Sequence, residues 1–192
     1  MRCFIALVPP DNFIGAAAAY LETAGTDGNW RWVRPEGVHI TLAFLGDVDA
    51  ATVEVARSAV ASMDGRMRAP ALRFGQAEAF PNPRRPRALV LRPTEGHVDA
   101  EDVWNALNDE LAARAGNAGL PPPNPDWIDG RIWHPHLTLA RPKKPDAEVP
   151  DLAETPAELR ALVRFDRVVL FESLLGQGGS RYRAVETAML ER

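Results

Sequence analysis

Short runs in which apolar residues alternate with polar ones, or form brief apolar blocks, recur along the chain and predict β-strands. The first is the apolar run that Pro9 ends. The others lie at 30–33, 38–45, 72–79, 87–92, 132–140, 165–172 and 181–188. The last two are separated by a glycine-rich segment at 176–179, which predicts a β-hairpin.

Apolar residues at helical spacing predict helices between these strands. They lie at 11–23, from 49 or 50 to 63, at 99–115 and, more briefly, at 154–162. Asp11 is a candidate helix cap and Gly25 a candidate stop. The proline-rich segments at 80–86 and 120–130 predict loops, and the second is predicted to contain no regular structure. This mixed order favours an α+β fold over a parallel doubly wound sheet.

The composition is that of an ordinary globular protein, with 192 residues, 46% hydrophobic and 25% charged. This length suits one compact unit or two small lobes sharing an interface. No segment approaches the roughly 20 apolar residues of a membrane span, so we expect a cytoplasmic protein without membrane contact. Cys3 is the only cysteine, which excludes an internal disulfide, and its apolar strand favours a packing role.

The formal charge of −4 argues against indiscriminate binding to nucleic acid but leaves a local basic cleft open. Arg84, Arg85 and Arg87 form the densest basic cluster, which fits either an exposed loop or the path of an RNA backbone. The chain has no glycine-rich phosphate loop, which weighs against nucleoside triphosphate or nicotinamide chemistry.

The most informative feature is a repeated pattern of histidine, aliphatic residue, threonine, leucine and alanine, found at 39–43 and at 136–140. A strand sends alternate side chains to opposite faces. In each copy the histidine and threonine are therefore expected on one face, over a small alanine, with the aliphatic residues on the core side. A regular first strand also assigns Phe44 to the core side.

Histidine is scarce, with four in the chain, and three of them lie in or beside the two copies. A lone histidine is more often structural, but a matched pair suits acid–base chemistry on a phosphodiester. A neutral imidazole takes a proton from the attacking oxygen, and an imidazolium gives one to the departing oxygen. Thr41 and Thr138 are placed to hold the phosphate oxygens, and such a site needs no metal.

The chief chemical alternative is a metal site formed by His39, His134 and His136. Pro135 and the absence of a supporting carboxylate in either motif count against it. His97 lies outside both motifs and is expected to be structural or exposed.

Residues that flank the motifs are candidates for substrate contact. Arg141 alternates away from the histidine face in a regular strand, so a role there requires a bulge or the end of the strand. The other basic candidates are Arg31, Arg34 and Arg131, of which Arg34 is favoured. The aromatic candidates for stacking on a base are Trp32, Trp133 and Phe44, although most aromatic residues in such strands are core.

Several further segments accompany the two motifs almost from end to end. They are 2–7, 31–35, 134–141, 170–173 and 178–182. With them the chain resembles the two-histidine phosphoesterase superfamily, and within it the bacterial and archaeal RNA 2′,3′-cyclic phosphodiesterases, also called 2′-5′ RNA ligase-like proteins.

The resemblance implies a single two-lobed α+β domain over residues 1–192, with mainly antiparallel sheets in two pseudo-twofold-related lobes that flank a central cleft. The helices are expected outside, and each lobe contributes one motif strand. The segment at 120–130 looks long and proline-rich for this family, and it could border the cleft.

The resemblance also implies hydrolysis of a terminal 2′,3′-cyclic phosphate to a 2′-phosphomonoester, without a cofactor. His39 is then the proton donor and His136 the proton acceptor, an order that the motifs alone do not fix. The expected substrates are RNA ends or small cyclic nucleotides, with no obligate protein partner. Further expected substrate contacts are Arg34, Arg141, Phe44 and His134. The alternatives are 2′-5′ RNA ligation and binding of RNA ends without catalysis.

Overall fold

A computed structural model describes residues 1–24, 28–128, 130, 132–145, 147–176 and 179–191. The strands are β1 (Arg2–Val8), β2 (Trp30–Trp32), β3 (Ile40–Asp47), β4 (Ala71–Phe74), β5 (Glu78–Phe80), β6 (Ala88–Leu91), β7 (Pro93–Glu95), β8 (Leu137–Pro142), β9 (Val163–Arg164), β10 (Arg167–Gly176) and β11 (Gly179–Met189). The helices are α1 (Asp11–Ala24), α2 (Ala50–Ala61), α3 (His97–Asn117), α4 (Pro125–Ile128) and α5 (Ala157–Arg160), with a 3₁₀ helix at Pro35–Gly37.

Among the described residues, eight strands form one sheet in the order β11-β10-β1-β3-β8-β6-β5, with β2 also paired to β8. A smaller sheet has the order β7-β4-β9. The pairings between these strands are antiparallel. The predicted α+β class and the predicted C-terminal hairpin of β10 and β11 are therefore confirmed.

The two motif strands meet at the middle of the large sheet, through one residue pair. Ile40 of β3 is opposite Leu137 of β8, and both side chains are fully buried. One half of the sheet, β11-β10-β1-β3, is thereby joined to the other, β8-β6-β5 with β2. Because the described pairing of these strands stops at this residue pair, a cleft can open beside it.

The first motif strand contains a β-bulge at Leu42. Ile5 of β1 pairs with Ala43, whereas the next residue, Ala6, pairs with Thr41, so that Leu42 is the extra residue. A bulge breaks the regular alternation of faces and is often found beside active sites. The side chains that directly follow Leu42 therefore point to the opposite face from the one predicted for a regular strand.

The second motif strand contains a bulge at the corresponding leucine, Leu139. Leu89 of β6 pairs with Ala140, and the next residue, Val90, pairs with Thr138. The repeated sequence pattern thus corresponds to a repeated backbone irregularity, with each motif strand bulged against its outer neighbour. This correspondence relates the two halves as pseudo-equivalent lobes.

Helices cover the sheet where their apolar faces meet it. In α2, Val55, Ala56, Ala59 and Val60 are buried, and this helix packs against β10, β11 and α3. In α3 the buried positions recur every three or four residues at Ala100, Val103, Leu107 and Leu111. Cys3 is buried and unpaired, as its apolar strand predicts, and burial raises the pKa of its thiol.

Several predicted boundaries are confirmed and others are moved. The N-H of Thr52 donates to Asp49 Oδ1 at 2.8 Å, so Asp49 caps α2. The predicted strand at 72–79 is divided between β4 and β5, which belong to different sheets. Each motif strand begins one residue after its histidine, at Ile40 and Leu137. Gly25 lies outside the described residues.

The segment at 120–130 is not entirely irregular, which corrects the prediction. Pro125 begins α4, a helix of four residues. Proline is tolerated in the first turn of a helix because the N-H groups there have no partner within the helix. In the described ranges, no helix is long and apolar enough to cross a membrane.

Candidate active site

His39 lies just before β3, against a wall of aromatic residues from the first lobe. Its ring stacks on Phe4 at 4.9 Å between centroids and meets the edge of Tyr182 at 5.6 Å. Phe171 lies 6.2 Å away. The ring nitrogen Nδ1 is buried and has no hydrogen-bond partner among the described residues. A histidine in such surroundings is driven towards its neutral form.

Burial lowers the pKa of His39 to about 4, and the positive charges of His136 and Arg141 act in the same direction. The backbone of Gly37 partly opposes this shift. Arg141 lines one cleft together with Tyr182, whose ring edge meets His39, and another together with His136. At neutral pH the resting His39 is neutral.

His136 is held by its own main chain. Its Nδ1 is 2.7 Å from the carbonyl oxygen of His134, and because a carbonyl only accepts, Nδ1 carries the proton. Phe80 stacks on the ring at 5.4 Å and 15°. The remaining nitrogen, Nε2, then carries a lone pair, which is the form that a general base requires.

The pKa of His136 is also lowered, first by burial and then by the charges of Arg141, Arg92 and His134, while the bond to the His134 carbonyl opposes the shift. The neutral form of His136 is therefore favoured at neutral pH. The His134 side chain is exposed, near the edge of the same site, 6.5 Å from Phe80.

The three-histidine metal hypothesis is not supported by this geometry. Within the described part of the chain, no three His, Cys, Asp or Glu side chains are grouped so that they could hold a metal ion. His97, the fourth histidine, is exposed at the start of α3, in agreement with the prediction.

The pairing of Ile40 with Leu137 determines which residues of the neighbouring strand lie opposite the two threonines. In that antiparallel register, Thr41 is level with His136 and Thr138 is level with His39. Each histidine position is thus beside the threonine position of the other motif. Both threonine side chains are half-buried.

A cleft of about 350 Å³ opens beside this pair of strands, and we call it the motif cleft. Its lining includes Thr41, Phe44, Phe80, Asn124, Asp126, Trp133, His134, His136 and Arg141. It brings together predicted site residues of the two motifs and their flanks on both strands. His39 and Thr138 are not part of this lining, and His39 is instead in contact with Tyr182 on the neighbouring side.

The two bulges explain why Phe44 and Arg141 line the motif cleft. Each lies five positions after its motif histidine, beyond the extra leucine. Phe44 is 43% exposed, so its assignment to the core side was wrong, because the bulge at Leu42 turns the strand. Arg141 is exposed at the equivalent position, which fulfils the condition that the sequence set for its role.

A second, smaller cleft of about 140 Å³ adjoins Arg141 and carries Arg31 and Arg34, with Glu36, Ser180 and Tyr182. Arg31 of β2 is directly opposite Arg141 of β8. Like charges at opposed strand positions repel, and an anion between them removes that cost. Arg34 lines this second cleft, and its substrate contact stays a prediction. Arg131 is outside the described residues.

Trp133 forms a wall of the motif cleft. Its Nε1 donates to the Thr41 carbonyl at 3.0 Å, and its ring is stacked parallel to Trp104 at 5.6 Å and 4°. One ring face is thus already covered. Trp133 holds the first motif strand in place, and Trp32, the other tryptophan candidate, is half-buried beside Arg31.

The proline-rich segment borders the motif cleft, as the sequence suggested. Asn124 and Asp126 are part of its lining. Asn124 is buried, and its Nδ2 donates to Asn108 Oδ1 at 2.7 Å. Asn108 in turn donates to the Trp104 carbonyl at 2.7 Å. This chain of hydrogen bonds fixes the segment to α3.

Sequence reasoning assigned no role to Phe80, Asn124 or Tyr182. Phe80 immediately precedes the prolines of the loop at 80–86, and Tyr182 lies in one of the segments that supported the resemblance. Phe80 contacts His136 and Tyr182 contacts His39 across the sheet. Because these contacts join segments far apart in the chain, no spacing in the sequence indicates them.

A family model and curated proteins match large parts of this chain. A model of the family described as LigT like phosphoesterase matches residues 8–90 and 99–182. An RNA 2′,3′-cyclic phosphodiesterase of Aquifex aeolicus is 29% identical over 161 residues, which is 81% of this chain and 79% of that protein. One of Bacillus subtilis is 31% identical over 111 residues, 58% of this chain and 55% of that protein.

Among solved structures, that of the protein TT0787 of Thermus thermophilus superimposes with a TM-score of 0.76 at 25% identity. The match covers 99% of this chain and 98% of that one. The two-lobed fold is therefore the predicted one. Since the family model spans both motif strands and most of the residues around them, the chain belongs to the LigT like phosphoesterase family.

Proposed function

We propose that the protein hydrolyses a terminal 2′,3′-cyclic phosphate of RNA to a 2′-phosphomonoester by acid–base catalysis between its two motif histidines. The observation that carries this proposal is the position of the two histidines: His39 and His136 flank the only described residue pair that joins β3 to β8. The charge of Arg141 also lowers the pKa of both. The names of the curated relatives support the same substrate class.

His136 is the proton acceptor in this proposal. Because the His134 carbonyl binds Nδ1–H, Nε2 is the free base. Nε2 takes a proton from water as the water oxygen attacks phosphorus opposite the 3′-oxygen. The lowered pKa keeps this nitrogen unprotonated at neutral pH.

His39 is the proton donor in this proposal. The bond from phosphorus to the 3′-oxygen breaks as the His39 imidazolium gives its proton to that oxygen. Since the resting pKa is about 4, the proton has to be held there by the substrate. The phosphodiester anion supplies the negative charge that favours imidazolium.

The phosphate oxygens are held by Thr41, Thr138 and Arg141 in this proposal. Hydroxyl donors and a guanidinium stabilise charge that grows on the phosphoryl group during displacement. Each turnover leaves His39 neutral and His136 protonated, so proton exchange with solvent has to restore the starting state.

We further propose that residues 1–192 form one domain of two lobes. Buried apolar residues of both halves of the large sheet, such as Leu7 and Leu89, belong to one core cluster. Separate folding of either half would expose that shared surface.

The product distinguishes this function from related ones. With 2′,3′-cyclic AMP, or an RNA ending in that group, we expect the 2′-phosphate, measured by chromatography against 2′- and 3′-phosphate standards. Formation of the 3′-phosphate would show that the 2′-oxygen departs instead of the 3′-oxygen. Lack of turnover would refute the proposed hydrolase activity. Added 5′-hydroxyl RNA tests 2′-5′ ligation through a joined product.

The pH dependence provides an independent test. The free protein must hold a proton on His39 and none on His136, although both pKa values lie below the ordinary 6.5. With a pKa of about 4, roughly one His39 in a thousand is protonated at pH 7. We therefore expect kcat/KM to fall tenfold for each unit by which the pH is raised, and this fall should begin below pH 6.5.

Bound phosphodiester raises the pKa of His39, so the decline of kcat at high pH should begin at a higher pH than the decline of kcat/KM. Rate profiles of both parameters from about pH 4 to about pH 9 measure this separation. If kcat and kcat/KM declined at the same pH, the bound substrate would not be raising the pKa of His39.

A further inference from the structure

We propose that a basic groove next to the motif cleft binds the single-stranded RNA that precedes the cyclic phosphate. The basic groove encloses about 780 Å³ and is lined by Arg84, Arg85, Arg87, Arg141, Lys143 and Lys144, together with Pro86, Pro142 and Pro145. The inference rests on the proposed function and adds the place where the strand on the 5′ side of the terminal nucleotide lies.

The groove concentrates positive charge in an acidic protein. The chain has 22 basic and 26 acidic residues, yet the described residues lining the groove include six cations and no carboxylate. Both lysines of the chain are there. Such local concentration opposes the net charge and creates a field that attracts a polyanion.

Among the described residues, no carboxylate forms an ion pair with these cations. In the described ranges, Arg57, Arg114 and Arg167 lie within 4.0 Å of a carboxylate, but no described carboxylate lies that close to the six cations of the groove. Clustered cations that no described carboxylate neutralises repel one another, so the arrangement is costly for the free protein. Phosphates of a bound strand would remove that repulsion.

Arg141 connects the groove with the active site because it lines both. A cyclic phosphate held near His136 and Arg141 therefore has the groove beside it. The terminal nucleotide occupies the motif cleft, and the strand on its 5′ side continues along the arginine loop at 84–87 and the lysine pair.

The backbone of the groove is fixed, while most of its charged side chains extend from it. Asn82 Oδ1 accepts from the N-H groups of Arg84 and Arg85, both at 3.1 Å. On the other wall, the backbone N-H of Lys143 donates to the Asn29 carbonyl at 2.9 Å. The Lys143 ammonium donates to the Gly28 carbonyl at 2.7 Å, so this side chain lies along the wall. A rigid base that carries long cationic side chains suits phosphate contacts, which position a strand without reading its sequence.

The test compares two substrates with one double variant, Arg84→Ala with Arg85→Ala. The side chains are exposed, and their N-H bonds to Asn82 survive the change. For an RNA of about five nucleotides ending in a cyclic phosphate, we expect kcat/KM to fall about tenfold at low salt. The plot of log kcat/KM against log salt should become shallower by about 1.4, for two lost phosphate contacts.

Turnover of 2′,3′-cyclic AMP serves as the reference, because this substrate does not extend into the groove, and it should change less than about twofold. The matched control is Arg66→Ala with Arg68→Ala, which removes the same charge from positions outside the groove. It should leave both substrates unaffected.

Equal losses on both substrates, no loss on the RNA, or an equal loss in the control would overturn the proposal. If the wild-type protein turned over neither substrate, the proposed function would fail independently of the groove. Binding of a fluorescent RNA with a linear 3′-phosphate then decides: an unchanged salt dependence in the groove variant would contradict the inference, and a shallower one would support it.

Discussion

Replacing His136 by alanine should lower kcat by about 10²- to 10⁴-fold, because proton transfer by one positioned side chain contributes about that much. The same loss is expected for His39→Ala. His136 contributes Nε2 as the base, and His39 contributes the proton that the 3′-oxygen requires. Steady-state rates on 2′,3′-cyclic AMP measure both effects, with KM changing less than kcat.

The matched control is His97→Ala, which removes an exposed histidine outside the motif cleft and should retain the wild-type rate. Thermal unfolding should show that both active-site variants remain folded. His39→Gln is a second variant that fills more of the space beside Phe4 and Tyr182. Wild-type rates in folded His39 and His136 variants would contradict the acid–base assignment.

Replacing Arg141 by glutamine should lower kcat/KM by about 10²- to 10³-fold, a loss typical for removal of one group that stabilises a developing oxyanion. The bulge at Leu139 places this guanidinium in the motif cleft. Its charge also lowers the pKa of both histidines. The decline of kcat/KM at high pH should therefore move to a higher pH in the variant.

This second readout separates a role in the site from a general loss of structure. Arg92→Gln is the matched control, because Arg92 lowers the pKa of His136 but does not line the motif cleft and is close to Glu78, at 3.6 Å. It should keep a rate within a few-fold of wild type. An Arg141→Gln variant with normal activity and an unshifted pH profile would exclude its proposed part in catalysis.

The elements of the fold were largely predictable because their causes are local. Alternating and helical apolar spacing indicated the strands and the longer helices, and Asp49 marked the start of α2. The repeat marked the two histidines because strand alternation groups a histidine with its threonine. The antiparallel joining of the two motif strands at Ile40 and Leu137 was not apparent, since pairing partners are set by the whole sheet.

The parts of the site that escaped prediction depend on bulges and on contacts between distant segments. A regular strand directs Phe44 inward, and only the extra residue at Leu42 turns it into the cleft. Phe80 and Tyr182 reach the histidines across strand neighbours far apart in sequence. The low pKa of His39 likewise arises from burial, which its flanking residues do not reveal.

The bond from His136 to the His134 carbonyl affects how the base tolerates mutation. Where a carboxylate side chain orients a catalytic histidine, a single substitution can remove the orienting group. Here the orienting oxygen belongs to the main chain, and every amino acid at position 134 retains it. The orientation of the base is consequently robust to changes of side chain and sensitive to changes of backbone path, above all at Pro135, whose ring restricts φ between the two histidines.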